Sequence, residues 1–428
     1  MVVVPFIYFG SWLLYRLAKN HWRFDIASYI ISIFAVSGLF SILIDIFGLR
    51  SLDTYQYVVS VPATLAYCVL LTLCILPFAK YSNSRVQLIR PVSNPGLLKA
   101  LSVVFFLFFL INFATSFSDI IEVVTSDDLN RVRLDHKMRE DSTWLNVLPP
   151  PIRIVFILLG LMSGASWIFI FLAFYVIVIQ KLKKQYGLMY LLASVNGIIG
   201  SILDGGRSAI LYWMLSFVAV YLLFIPLMNK RQKGTVRKFF IIFGSLFVAF
   251  FMMMTIARFG EREAGGVTGT EGGLISYAGQ PFINFCFFWD TFDCPLPSLQ
   301  IILPFTYKLF GYPIENPIDL QETLSFMSHK ELGVFYTFIG HIATTSFNLV
   351  AVSYCILLAA ASLLNVQRVR NHVISISGAY FYLLFSSVSF LGLFGHYYAY
   401  TNKSFAIVAF ALLLALLKPK KIPKREAT

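Results

Sequence analysis

Charge is what this chain has least of. Only 13% of its 428 residues are Asp, Glu, Lys or Arg, about half the share of a soluble domain. Acids are the scarcer sign, 21 against 34 basic residues, and there are six histidines. Cysteine is limited to five, which excludes a disulfide scaffold. Cys68, Cys74 and Cys355 fall inside apolar runs, where a small buried thiol belongs. Only Cys286 and Cys294 share a long loop and could bridge there. The motifs of soluble enzymes are missing as well: no phosphate-binding Walker loop, no CxxC, no HExxH and no GxSxG. The glycines at 265–266, 269 and 272–273 do not follow a strand, so they do not read as a nucleotide loop. No His, Cys and acid set has metal-ligand spacing, and adjacent Asp127 and Asp128 read first as solvated acids at a helix start. No metal or cofactor is expected. A basic leader, an internal repeat and a low-complexity segment are also missing.

What fills the chain is apolar surface: 58% hydrophobic residues and a mean hydropathy of +0.76. Repeated apolar runs of about 20 residues suit helices crossing about 30 Å of hydrocarbon. They do not resemble the short alternating strands of a membrane barrel. The expected fold is all-α, a polytopic transmembrane helical bundle of about eleven spans (range 10–12) in one integral membrane domain over 1–428. The runs lie near 2–18, 27–48, 57–79, 100–122, 154–180, 187–203, 207–228, 239–257, 334–364, 372–394 and 397–417.

The connections give the orientation. Turns after the odd-numbered spans and the C-terminal tail gather most of the lysine and arginine, including Arg16, Lys80, Lys181, Lys230 to Lys238, Arg368 and Lys418 to Arg425. They carry only two acids, Asp25 and Glu426. The positive-inside rule makes that side cytoplasmic. The net charge of +13 is then a topology signal, and nucleic acid is not an expected partner. Two long loops, 125–152 and 258–333, fall on the outer face. The first is highly charged, with Ser126 placed to cap a short helix that ends before Pro149-Pro150-Pro151. The second mixes charges, prolines at 295, 297, 304, 313 and 317, and apolar patches at Phe282–Trp289 and Ile301–Phe310. That composition predicts a folded, membrane-hugging cap over the site rather than a linker.

Several constellations could carry chemistry. Asp204-Gly205-Gly206-Arg207-Ser208 puts a guanidinium and free amides together at a helix N-terminus, a good place for a phosphate. The competing reading is a snorkelling arginine paired with Asp204. Arg258 and Arg262 lie one helical turn apart at the end of the eighth run, among Glu261 and Glu263. They suit a pyrophosphate at the bilayer surface, or else are interface anchors with local ion pairs. His329 and His396 are the histidines near the outer face and the candidate bases, either of which could equally be structural. Tyr277, Trp289 and Tyr397 could stack on sugar rings, although aromatic residues at span ends commonly form an interfacial belt. Asp45 near a span end and Asn112, Asn196 and Asn348 inside spans are the main polar groups at membrane depth, and their scarcity counts against ion-coupled transport.

Taken together, Asp204-Gly-Gly-Arg207-Ser-Ala-Ile, Arg258-Phe-Gly-Glu-Arg262 and Gly333-Val-Phe-Tyr336-Thr resemble the Wzy-type polymerases of O-antigen and capsule repeat units. Arg258 with Gly269, and Arg262 with Gly273, match the Arg-x10-Gly spacing of that family's outer loops. The resemblance implies a bacterial inner-membrane glycosyltransferase and membrane lipid around it. The enzyme would transfer the growing glycan from undecaprenyl pyrophosphate to a new lipid-linked repeat unit at the periplasmic face. The residues supply a compatible mechanism: Arg207, Arg258 and Arg262 would hold the pyrophosphate, and His329, Glu261 or Glu263 would be the base. Tyr277, Trp289, His396 and Tyr397 would lie along the sugars, and a chain-length regulator and a flippase would be partners. An O-antigen ligase and a lipid-carrier flippase are the alternatives that share this layout.

Overall fold

In a computed structural model the protein is all-α, and it describes residues 1–50, 54–80, 88–125, 148–203, 208–259, 269–302, 304–312, 317–332, 335–368 and 373–420. Six helical stretches are long and apolar enough to cross a membrane: Ile26–Phe47, Val61–Lys80, Gly96–Val123, Lys184–Leu203, Ser208–Leu227 and Asn348–Gln367. A seventh is counted if the pair Pro150–Met162 and Ser166–Ile179, bent by 78°, is one span. This is a multi-pass helical membrane protein, with fewer qualifying spans among the described residues than the eleven expected.

The differences have local causes. The run at 334–364 is broken into a short helix, Phe338–Thr345, and a longer one, Asn348–Arg368. The last two runs give helices of 15 residues, Ile376–Phe390 and Thr401–Ala415. At about 1.5 Å per residue each covers about 22 Å, short of the hydrocarbon thickness. The first run gives a helix of 16 residues, Val4–Lys19. The eighth lies in Lys230–Phe259, part of whose side chains lie outside the described residues. The charged loop at 126–147 lies outside them too, so the expected Ser126 cap does. A helix opens on Pro150, where the fixed φ of proline suits the first helical turn.

The chain forms two compact units. The first comprises Met1–Arg85, Arg258–Arg370 and Tyr382–Ser404. In it, α1 (Val4–Lys19) and α2 (Ile26–Phe47) pack together, as do α3 (Val61–Lys80) and the helix Asn348–Arg368. Asp25 caps α2 by accepting from Ser28 N (2.8 Å), and it also receives Arg16 of α1 at 3.3 and 2.5 Å. Both partners are buried, and Arg16 also donates to the Ala79 carbonyl of α3. One charge from the cytoplasmic tally is therefore an internal clasp between three helices.

The largest departure from expectation is α4 (Gly269–Thr291), which packs lengthwise on α2. Phe282 to Phe288, read as a surface patch of the outer loop, are all buried. The approach is close because the facing residues are small. Ser37 and Ser41 of α2 donate to the Ala278 and Gly279 carbonyls, each at 2.7 Å. A Cβ at Gly279 would lie 2.5 Å from the backbone of Phe40. Cys286 is buried within this helix and Cys294 half-buried beyond it, and both thiols are free. Other described residues of the loop pack beside it. Phe287, Phe288, Ile301, Leu320, Leu324, Leu332 and Tyr336 form a hydrophobic cluster that holds α5 (Pro317–Ser328).

The second unit comprises Val86–Ala257, Asn371–Phe381 and Phe405–Thr428. At its centre is the helix Ser166–Phe174, with all nine residues buried. A helix apolar on every side belongs in a core. Its terminal turn widens over Tyr175–Ile179. A short parallel pairing, Leu88–Ile89 with Val373–Ile374, closes one edge. Asn112 donates to Asn196 (3.2 Å), so two of the polar groups noted at membrane depth satisfy one another.

Candidate functional site

The first unit contains a buried polar cluster built on α6 (Phe338–Thr345), whose eight residues are all buried. Thr337 caps it by accepting from Gly340 N, and Phe338 N donates to the Gly392 carbonyl at 2.7 Å. Its far end is satisfied by the 298 loop: Ser298 N donates to Thr345 O (2.8 Å) and Ser346 Oγ to Ser298 O (2.7 Å). These contacts hold irregular backbone inside an apolar bundle, where an unpaired amide would be costly.

His341 projects from α6 and is 6% exposed. Its Nδ1 accepts the backbone N–H of His396 at 3.1 Å. Its Nε2 lies 3.2 Å from the side-chain nitrogen of Gln321, which donates to Tyr336 Oη at 2.7 Å. An imidazole whose Nδ1 is an acceptor carries its proton on Nε2 when neutral. The Tyr336 ring stands edge-on to His341 at 5.6 Å. His396 is 3% exposed and lies edge-on to Tyr354 (5.5 Å) and Tyr398 (6.3 Å). Tyr398 Oη is 2.5 Å from Ser387 Oγ. Lys403 Nζ sits over the rings of Tyr397 (4.3 Å) and Tyr400 (4.1 Å), a cation–π clamp on this turn.

Burial lowers the pKa of His341 to about 4. It lowers His396 to about 3, helped by the positive charge that His341 and Lys403 can carry. Desolvation disfavours the charged imidazole, so both rings are neutral at neutral pH. A neutral His341 with Nδ1 already occupied is a hydrogen-bond donor through Nε2, not a proton acceptor.

The same two segments carry a half-buried aromatic group. Tyr277 lies 4.2 Å from Phe335 and 6.0 Å from Phe394, and those two rings are 5.4 Å apart. Asn284 Nδ2 holds the Phe335 carbonyl at 2.9 Å. Phe335 precedes Tyr336, and Phe394 lies two residues before His396, so the aromatic group adjoins the histidine pair.

Of the residues singled out from sequence, Tyr277, His396 and Tyr397 come together here. Trp289 lies at the end of α4, stacked on Phe285 at 5.2 Å, and its carbonyl accepts from Asn348. His329 is exposed past the end of α5, in left-handed backbone with φ +54°. Beside it, Lys330 Nζ donates to the Thr291 carbonyl and lies 5.4 Å from the Phe287 ring, pinning this corner to α4. Arg207, Glu261, Arg262 and Glu263 lie outside the described residues, and so does the side chain of Arg258.

Sequence reasoning passed over Gln321 and Phe394, and it assigned no role to Phe335 or His341. The signal present was the polar spacing Thr337, His341, Thr344, Thr345, Ser346 within an apolar run, which marks the break between α6 and the helix that follows. No protein-family model, curated protein or solved structure matches this chain.

Proposed function

We propose that the protein is a bacterial polysaccharide repeat-unit polymerase of the inner membrane. In this reading an acceptor hydroxyl of a lipid-linked repeat unit attacks the anomeric carbon of the growing glycan at the periplasmic face. The bond to undecaprenyl pyrophosphate breaks, and the hydroxyl proton passes to a base. The observation that carries the reading is the buried histidine pair next to the half-buried Tyr277–Phe335–Phe394 group. Ionisable side chains inside a membrane bundle are costly and mark function by default, and an aromatic face next to hydrogen-bond donors suits a sugar ring. The resemblance of the Asp204–Ile210 and Arg258–Arg262 stretches to the Wzy-type polymerases supplies the reaction.

Arg207, Arg258 and Arg262 take the pyrophosphate, stabilising the charge that develops on the leaving group. His329, Glu261 and Glu263 remain the candidates for the base. His341 takes a different role, donating a hydrogen bond through Nε2.

A deletion strain tests the reading. Loss of long glycan chains, with one repeat unit still attached to lipid A core, is the expected outcome; core without any repeat rejects a polymerase. Complementation by Arg258→Ala or Arg207→Ala should lower polymer yield about 10²–10³-fold at normal expression, as for loss of one charge-stabilising group. A full chain-length distribution from either variant removes the pyrophosphate assignment.

A flippase of lipid-linked oligosaccharide is the second reading, favoured by the 78° break between Pro150–Met162 and Ser166–Ile179. Broken helices are a transporter feature, and a flippase predicts core bare of repeat units in the same deletion strain.

A further inference from the structure

A cavity of about 470 Å³ lies within the first unit at the end of α2. Its walls carry Asp45, Arg50, Tyr55, Gln56 and Tyr57 as the polar and aromatic part and Met1, Val2, Val58 and Val59 as the apolar part, and its volume is within the range of small-molecule sites. Arg50 does not offer its charge to a ligand. Its Nε and Nη2 donate to Asp45 Oδ1 at 3.0 and 2.5 Å, and its Nη1 donates to the carbonyls of Tyr57 (2.5 Å) and Thr54 (3.4 Å). The guanidinium is thus the frame that shapes the connection from α2 to α3, and the ion pair leaves this wall with no net charge. Tyr57 is likewise committed: its hydroxyl donates to Asp290 Oδ2 at 2.6 Å and its ring meets Phe287 edge-on at 5.4 Å.

What the cavity offers a ligand is different in kind. Both Arg50 bonds fall on Oδ1 of Asp45, a side chain 46% exposed on the cavity wall, so the carboxylate keeps acceptor capacity for a ligand. Gln56 is exposed and brings a donor and an acceptor on one amide, and the Tyr55 ring is 68% exposed. An anion would meet Asp45 and a saturated guanidinium. A purely apolar ligand would leave the carboxylate and the amide desolvated without partners, at a cost of about 1–3 kcal/mol for each. A neutral polyol uses all three: hydroxyls on Asp45 and Gln56, and a C–H face on Tyr55.

We infer that this cavity binds a neutral saccharide, at a site separate from the histidine cluster. The polymerase reading is used only to place it on the outer side, where the α2–α3 connection falls by the charge count, and to suggest a glycan chain as its natural occupant.

The test uses full-length protein in nanodiscs and saturation-transfer NMR. The probes are maltotriose, chitotriose and oligosaccharide released by mild acid from the surface polysaccharide of the source strain. At least one should bind, and Tyr55→Ala/Gln56→Ala should weaken it about tenfold with an unchanged melting temperature, since both residues are exposed. Inorganic pyrophosphate should not displace it. No binding by any probe, equal affinity in the double variant, or displacement by pyrophosphate overturns the site. The two proposals fail separately. Binding that the variant loses, with normal glycan chains in the deletion strain, removes the polymerase and keeps the site. Lost chains without saccharide binding do the reverse.

Discussion

Asp25 shows how much a single residue does in this protein. It caps α2, receives two donors from Arg16 and is 3% exposed. Removing one partner of a buried pair strands the other charge, so Asp25→Ala should cost about 3–5 kcal/mol. Arg16→Met/Asp25→Leu should recover much of that loss, because no charge is left buried; melting of the purified variants measures both. A double variant as unstable as Asp25→Ala would show that the cap, rather than the stranded arginine, is what matters. The histidines give a pH dependence of definite sign. The ordinary histidine value is about 6.5, and the folded values are about 4 for His341 and about 3 for His396. Below pH 6.5 the unfolded chain therefore takes up protons that the folded one refuses. Their contribution to stability is complete above that pH and is lost as pH falls toward the folded values, by up to about 1.4 kcal/mol per unit for each ring. Melting temperature should fall between pH 7 and 5, and His396→Phe should flatten the slope. An unchanged slope would mean that His396 titrates normally.

At the scale of elements, the decisive contact is α4 on α2. Its closeness depends on Gly279, where any side chain meets the Phe40 backbone, and on two serine-to-carbonyl bonds. Small residues that let helix backbones meet are how membrane helices associate. Gly279→Val should destabilise the protein by at least about 1–3 kcal/mol, or prevent folding. Ser37→Ala/Ser41→Ala should cost about 1 kcal/mol per bond. Tolerance of valine, with an unchanged melt, would mean that these helices are not in contact. The break between α6 and the following helix matters in the same way. It turns what reads as one long apolar run into a buried turn of polar side chains, and that turn is where the histidine cluster forms.

At the scale of the whole chain, two compact units each assemble from three separated segments, so each core is closed by long-range contacts. Orientation is the property that the charge count predicts most directly. In a background carrying Cys294→Ser, a cysteine at position 326, where Phe326 is 82% exposed, should react with an impermeant maleimide from the periplasm. A cysteine at position 230, replacing exposed Lys230, should react only after the membrane is opened. Reversed labelling would invert the proposed topology.

Composition by itself determined the class of this protein. Scarce charge with long apolar runs leaves helices as the way to satisfy backbone polar groups in lipid, and the described residues are all-α with several membrane-length helices. Local sequence also marked Phe282–Trp289 as an apolar segment within the long second loop. Tertiary structure decided the rest. Whether Phe282 to Phe288 face water, lipid or other helices depends on the partner that covers them, and periodicity cannot name a partner 240 residues away in sequence such as Ser37. His341, Gln321 and His396 likewise meet only through backbone breaks that apolar periodicity conceals. Burial is a property of contacts and not of residues.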